Sequence, residues 1–91
     1  VNVEKSIQIG SIVFSKAGRD AGRFFIVTEV VDENFVKLAD GKLRKLEKPK
    51  MKKIKHLKAT GDISEKIREK LLEGKVIYDA EINSIIRKYN A

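Results

Sequence analysis

Between Ile7 and Leu57, short runs of apolar, β-branched residues alternate with turn residues, whereas from Asp62 onward the apolar positions recur at helical spacing. The pattern IQIGSIVFS predicts a first strand around residues 11–16, ended by Ala17-Gly18. In AGRDAGR, Gly18 and Gly22 bracket Arg19 and Asp20, the spacing of a tight exposed loop with positive φ at its glycines. A second strand, FFIVTEVVD, is apolar on both sides of its pleat until Thr28 and Glu29, so it is predicted to be central and bent or bulged near its end. After a turn at Asp32-Glu33-Asn34, the run FVKLAD sets Val36 and Leu38 on one face and Phe35 and Lys37 on the other. Asp40-Gly41 reads as a two-residue hairpin turn into a fourth strand, KLRKL, over residues 42–46. Pro49 cannot donate a ladder hydrogen bond and separates that strand from a fifth, over residues 52–57, at a sheet edge. Five short consecutive antiparallel strands predict a small barrel.

Thr60-Gly61 is read as the end of the β region. Asp62 or Ser64 can cap a helix in which Ile63, Ile67 and Leu71 recur every four residues, with Leu72 widening the stripe and Gly74 supplying the stop. A second helix is predicted from Asp79, its Ile82, Ile85, Ile86 and Tyr89 falling at i, i+3, i+4 and i+7. Helices this short are marginal alone. Residues 60–91 are therefore expected to pack on a barrel built by residues 1–59 as one folding unit, with the stripe of the second helix closing one end. There is no internal repeat, low-complexity tract or Gly/Ser linker.

A chain of 91 residues fits one domain and has little room for an enzyme-sized cleft. Its apolar fraction of 42% supports a compact core even though charged residues reach 36%. The absence of cysteine excludes disulfides and thiolate metal sites and fits a reducing compartment. The longest apolar run covers residues 24–27, far below the roughly 20 residues of a membrane span, and VNVEKS has no signal-peptide core. The expectation is a soluble cytoplasmic protein, free of membrane and monomeric when unbound.

Charge changes the picture most. Nine of the twenty Lys and Arg residues lie within residues 42–58, where Glu47 is the sole acid, and the rest of the chain is close to neutral. The formal +7 is one local feature. A stripe of this kind attracts polyanions and releases their counterions, beyond what is needed to blunt a sheet edge. Lys outnumbers Arg in it eight to one, which favours phosphate attraction over bidentate base reading. The Gly18–Gly22 loop adds backbone N–H groups with Arg19 and Arg23, a combination able to meet phosphates; the same residues would also make a plain tight turn. His56, the lone histidine, reads as a structural strand residue. Phe14, Phe24, Phe25 and Phe35 read as core, with stacking on unpaired bases as the other use of an aromatic ring. The i, i+3 pairs Glu65 with Arg68 and Lys66 with Glu69 read as a solvated helix face, and Asp20 and Asp32 as turn formers. No nucleophile, carboxylate pair or ligand set forms a catalytic constellation, so no enzyme and no cofactor or metal is expected.

Residues 9–23, IGSIVFSKAGRDAGR, followed by the apolar strand of residues 24–31, resemble a KOW motif: an apolar strand, a loop with glycines and basic residues, and a second apolar strand, with Gly10, Gly18 and Gly22 in the matching places. The longer run, over about residues 7–58, is similar to the KOW-containing large-subunit ribosomal proteins of archaea and eukaryotes and to small bacterial KOW-domain proteins. The resemblance implies a mainly β fold with some α: a five-stranded SH3-like barrel, followed here by two C-terminal helices that have no counterpart in the pattern. It also implies a non-catalytic RNA-binding protein of the translation apparatus, docking on structured RNA, most often ribosomal RNA, with the ribosome or ribosomal proteins as further partners. The contacts it assigns are Lys16, Gly18, Arg19, Gly22 and Arg23 of the loop and Lys42, Arg44, Lys45, Lys48, Lys50, Lys52, Lys53, Lys55 and Lys58 of the stripe. The alternative is a protein-interaction KOW module of the transcription or translation machinery, its helices presenting Ile82, Ile86 and Tyr89 to a partner.

Overall fold

Three of the apolar runs fold as their alternation requires: β1 (Ser11–Ser15), β2 (Phe24–Val30) and β3 (Phe35–Ala39). With β4 (Lys50–Lys53) and β5 (Leu57–Ile63) they form one antiparallel sheet in the order β4-β3-β2-β1-β5. A 3-10 turn, Ile54–His56, carries the chain straight from β4 into β5. This is the five-stranded arrangement of an SH3-like barrel with its seam open, since β4 and β5 do not pair. Two helices follow, α1 (Glu65–Leu72) and α2 (Asp79–Asn90). The computed structural model describes residues 7–90; residues 1–6, on which the expectation about a signal peptide falls, and Ala91 lie outside the described residues.

The two-sided apolar character of β2 has a direct structural cause. Phe25 and Val27 point to one side, joining Ile7, Val13, Val36, Leu38, Ile54 and Leu57 in the barrel interior. Ile26 points to the other, where Ile12 of β1 joins it against Ile67 of α1 and Ile82 and Ile86 of α2. The pair β1–β2 is thus covered on both faces. Beyond Val27, β2 leaves the helices behind and becomes exposed, and there the predicted bulge occurs: Val27 faces Leu38 but Glu29 faces Lys37, leaving Thr28 as the extra residue. Its hydroxyl donates to the carbonyl of Lys37 (3.2 Å).

Three expectations about the sheet are corrected. Residues 42–46 form no strand, because alternate backbone N–H groups that a ladder would use are taken by carboxylates. Asp40 Oδ1 accepts from Lys42 (2.9 Å) and Arg44 (2.8 Å), and Asp79 Oδ1 from Leu46 (2.8 Å). Asp40-Gly41 therefore opens a long loop instead of a two-residue turn. Gly41, at φ +78°, lets that loop pass over the start of α2, where a Cβ would collide with the carbonyl oxygen of Asp79. Secondly, the strand expected over residues 52–57 is split: β4 begins directly after Pro49, and residues 54–56 turn. Thirdly, Thr60-Gly61 does not end the sheet. Ser11 faces Ile63 while Val13 faces Ala59, so this turn signal is a bulge within β5, anchored by the Thr60 hydroxyl donating to the carbonyl of Ile12 (2.7 Å).

The helices start and stop for local reasons. Ser64 caps α1, its Oγ accepting from the N–H of Ile67 (3.4 Å), and the chain reverses through Gly74 with the N–H of Lys75 returning to the carbonyl of Lys70 (2.8 Å). Glu81 performs the capping at α2: its Oε2 accepts from the backbone N–H of Tyr78 (3.0 Å), while Oε1 takes the ammonium of Lys70. The Lys70 hydrogen bond, then the Tyr78 N–H, hold the Glu81 carboxyl below its ordinary 4.5. The apolar stripe of α2 covers the outer face of β1 and β2, not an end of the barrel. At its last residue, Asn90 supplies both partners of the Phe24 backbone, accepting from its N–H (2.9 Å) and donating to its carbonyl (3.3 Å).

Two outcomes follow from this packing. Ile82→Ala opens a cavity between α2 and the sheet and lowers the unfolding free energy by about 2–5 kcal/mol, read from urea denaturation. Because the Glu81 carboxyl is depressed in the folded state, its contribution is present above the ordinary carboxylate value and is lost as pH falls through the folded one. Glu81→Gln should therefore lower the melting temperature at neutral pH and flatten its fall below about pH 4.5; an acid limb as steep as that of the parent protein would exclude this role.

Candidate nucleic-acid interface

The β1–β2 loop is built by its two glycines, at φ +84° for Gly18 and +89° for Gly22. The N–H groups of Ala21 and Arg23 return to the carbonyls of Gly18 and Asp20 (both 3.2 Å), and the N–H of Gly22 closes onto Ser15 (2.9 Å). Arg19 and Lys16 project from this frame and are exposed. Asp20 does more than form the turn. It is 7% exposed and receives the Arg44 guanidinium on both oxygens, at 3.3 and 3.1 Å.

A second ion pair runs the opposite way. Arg23 of this loop faces Asp40 of the 40–49 loop at 3.7 Å, and Asp40 is 1% exposed. Each basic loop therefore places one arginine on a buried acid of the other. Arg23 and Arg44, expected to be free for nucleic acid, are positioning groups that hold two cationic loops side by side. Lys52 joins them: from β4 its ammonium donates to the carbonyl of Ala17 (2.7 Å), spanning the open seam of the barrel. The N–H of Lys16 likewise reaches the carbonyl of His56 (2.8 Å), so the histidine, half-buried in the 3-10 turn and not in a strand, contributes its backbone.

The stripe expected on one strand edge is distributed. Lys42, Lys45 and Lys48 lie in the 40–49 loop, Lys50 and Lys53 on β4, Lys55 in the 3-10 turn and Lys58 on β5 opposite Phe14. Together with Lys16 and Arg19 these nine side chains are exposed, and none pairs with an acid among the described residues. Most lysines elsewhere among the described residues are paired, Lys37 with Glu29, Lys66 and Lys70 with Glu81, and Lys75 with Glu73, whereas Arg87 and Lys88 near the end of α2 are exposed and without an acidic partner. Unpaired ammonium groups gathered around two interlocked loops can exchange mobile counterions for a fixed row of phosphates.

The helices offer no comparable surface at the positions singled out. Ile82 and Ile86 are fully buried, and the half-buried Tyr89 donates to Asp62 Oδ2 (2.7 Å), which pushes its pKa up. The exposed stripe on which the protein-interaction alternative rests is absent. The helix charges are not a purely solvated face either: Arg68 donates to the carbonyl of Ile9 (3.2 Å), and Glu81 unites Lys66 and Lys70. Among the aromatics, Phe25 is core. Phe24 packs against the helix-side cluster, 5.0 Å from the ring of Phe14 and 5.5 Å from that of Tyr89. Sequence reasoning missed the buried roles of Asp20 and Asp40. The available signal was two acids, each set in a glycine turn inside otherwise basic surroundings.

Removing the Asp20 charge tests the clamp. Asp20→Asn is expected to cost about 1–2 kcal/mol of stability, discounted because the Arg44 side chain is one-third exposed. It should also speed amide hydrogen exchange at Gly22 and Arg23 relative to the β1–β2 core. Unchanged exchange in the loop would show that the pair does not hold it.

No protein-family profile matches the chain. It is similar to the large ribosomal subunit protein eL14 of Desulfurococcus amylolyticus, with 42% identity over 55 residues, 60% of this chain and 57% of that protein. It is also similar to eL14 of Staphylothermus marinus, with 36% identity over 52 residues, 57% of this chain and 54% of that protein. The chain thus spans a little over half the length of these relatives. The sheet with its glycine-flanked loop and the likeness to large-subunit ribosomal proteins of archaea agree with the KOW resemblance read from residues 7–58.

Proposed function

We propose that this chain is a non-catalytic RNA-binding protein of the translation apparatus that docks on structured RNA, ribosomal RNA foremost, in the cytoplasm. The observation that carries this reading is the set of nine exposed basic side chains without acidic partners among the described residues, beside a glycine-built loop that a backbone can approach closely. The similar proteins of the large ribosomal subunit support the same direction. Lys50, Lys53 and Lys55 neutralise phosphates; Lys16, Arg19 and Lys42 meet the backbone where the two loops adjoin. Eight lysines to one arginine in the stripe make shape and charge, more than base identity, the basis of selection.

Crosslinking the protein to RNA in its own cells and sequencing the recovered fragments tests the target. Reads concentrated at one site of large-subunit ribosomal RNA are expected, and diffuse or absent reads would sink the proposal. In vitro, replacing Lys50, Lys53 and Lys55 with Gln should shrink the slope of log affinity against log salt by about 0.7–0.9 per lysine. The Asp20→Asn variant removes a negative charge and, on electrostatics alone, should bind RNA more tightly. Because Asp20 holds the loop, weaker binding is expected instead.

A further inference from the structure

Phe35 is partly buried but belongs to neither apolar cluster, although its β3 neighbours Val36 and Leu38 lie in the barrel core. Its ring faces the other side of the sheet and floors a pocket of about 380 Å³ lined by Glu33, Asn34, Lys53, Ile54 and Lys55. That volume sits near the lower end of small-ligand sites, roughly 300–1,000 Å³, suited to one nucleotide and too small for a duplex. The walls are fixed before any ligand arrives. Asp32 Oδ1 accepts from the N–H groups of Asn34 (2.7 Å) and Phe35 (2.8 Å), and the N–H of Ile54 donates to the carbonyl of Asn34 (2.8 Å), stapling the β2–β3 turn to the 3-10 turn.

The pocket holds charges of both signs. Lys53 stands over the Phe35 ring, its Nζ 5.9 Å from the centroid, and Lys55, Glu33 and Asn34 are exposed around it. A phosphate is attracted to the two ammonium groups and repelled from Glu33. A base edge bearing an amino group finds acceptors in Glu33 and Asn34, and the Phe35 ring offers a stacking partner once the flexible Lys53 side chain turns to the phosphate. We propose that this pocket takes one unpaired nucleotide, its base stacked on Phe35 and its phosphate held by Lys53 and Lys55. The inference rests on the RNA-binding reading and adds to it a place where a bulged or looped base is selected over a paired one.

The test compares a hairpin RNA carrying a single bulged 5-iodouridine with the same hairpin in which that residue is paired. The parent protein should bind the bulged hairpin about tenfold more tightly, and ultraviolet crosslinking should attach it at Phe35. Phe35→Ala and Phe35→Leu should both erase the preference. The leucine keeps apolar bulk without a stacking face, so it separates stacking from any loss of fold, and melting curves of both variants verify the fold. Equal affinity of the parent for the two hairpins, a preference that survives in Phe35→Leu, or a crosslink mapped elsewhere would each overturn the inference while leaving RNA binding standing. Failure to bind either hairpin would overturn the RNA-binding reading with it.

Discussion

Everything in this molecule depends on the β1–β2 pair being apolar on both faces. Val13, Phe25 and Val27 need the barrel interior, and Ile12 and Ile26 need a second cover that a small barrel does not provide. The helices supply it through Ile67, Ile82 and Ile86. A one-residue slip of the ladder would exchange the two sets, so double burial also fixes the register strongly. The glycine-flanked loop is the hairpin connection of this same pair, and its base inherits the rigidity of a ladder covered on both faces.

Two basic loops side by side repel one another, and the structure offsets this internally. Asp20 and Asp40, both buried, act as counterions from one loop to the other through Arg44 and Arg23. Asp40 also takes the N–H groups of Lys42 and Arg44, so one carboxylate shapes a loop and joins it to its neighbour. Arg23 and Arg44, with their fixed fork of donors, are placed at these joints, while the exposed cations of the loops and β4, Arg19 apart, are lysines, whose compact charge suits phosphate. The same division explains how this face can display nine unpaired cations without its loops separating.

How much of this was legible depended on whether the physics was local. The period-two and period-four patterns, the bulge near Thr28, the caps at Ser64 and Gly74 and the glycine loop follow from neighbours a few residues apart, and they were readable. The basic composition of the interface was readable too, since charge is additive along a chain. Residues 42–46 were not: their alternation reads as a strand until Asp79, 33 residues away from Leu46, takes a backbone N–H that a ladder would need.

The sequence by itself determined that the chain folds into short strands followed by two helices, that its positive charge is local, and that its glycine loop lies between two apolar strands. Only the tertiary structure decided which cations are free. Arg23, Arg44 and Lys52 look the same as their neighbours in sequence, but buried acids and a loop carbonyl brought from elsewhere in the chain make them structural. It also decided that Phe35, aromatic like Phe25, stays out of both cores. Side chains of one strand alternate between faces, and what lies beyond each face is set by elements far along the chain.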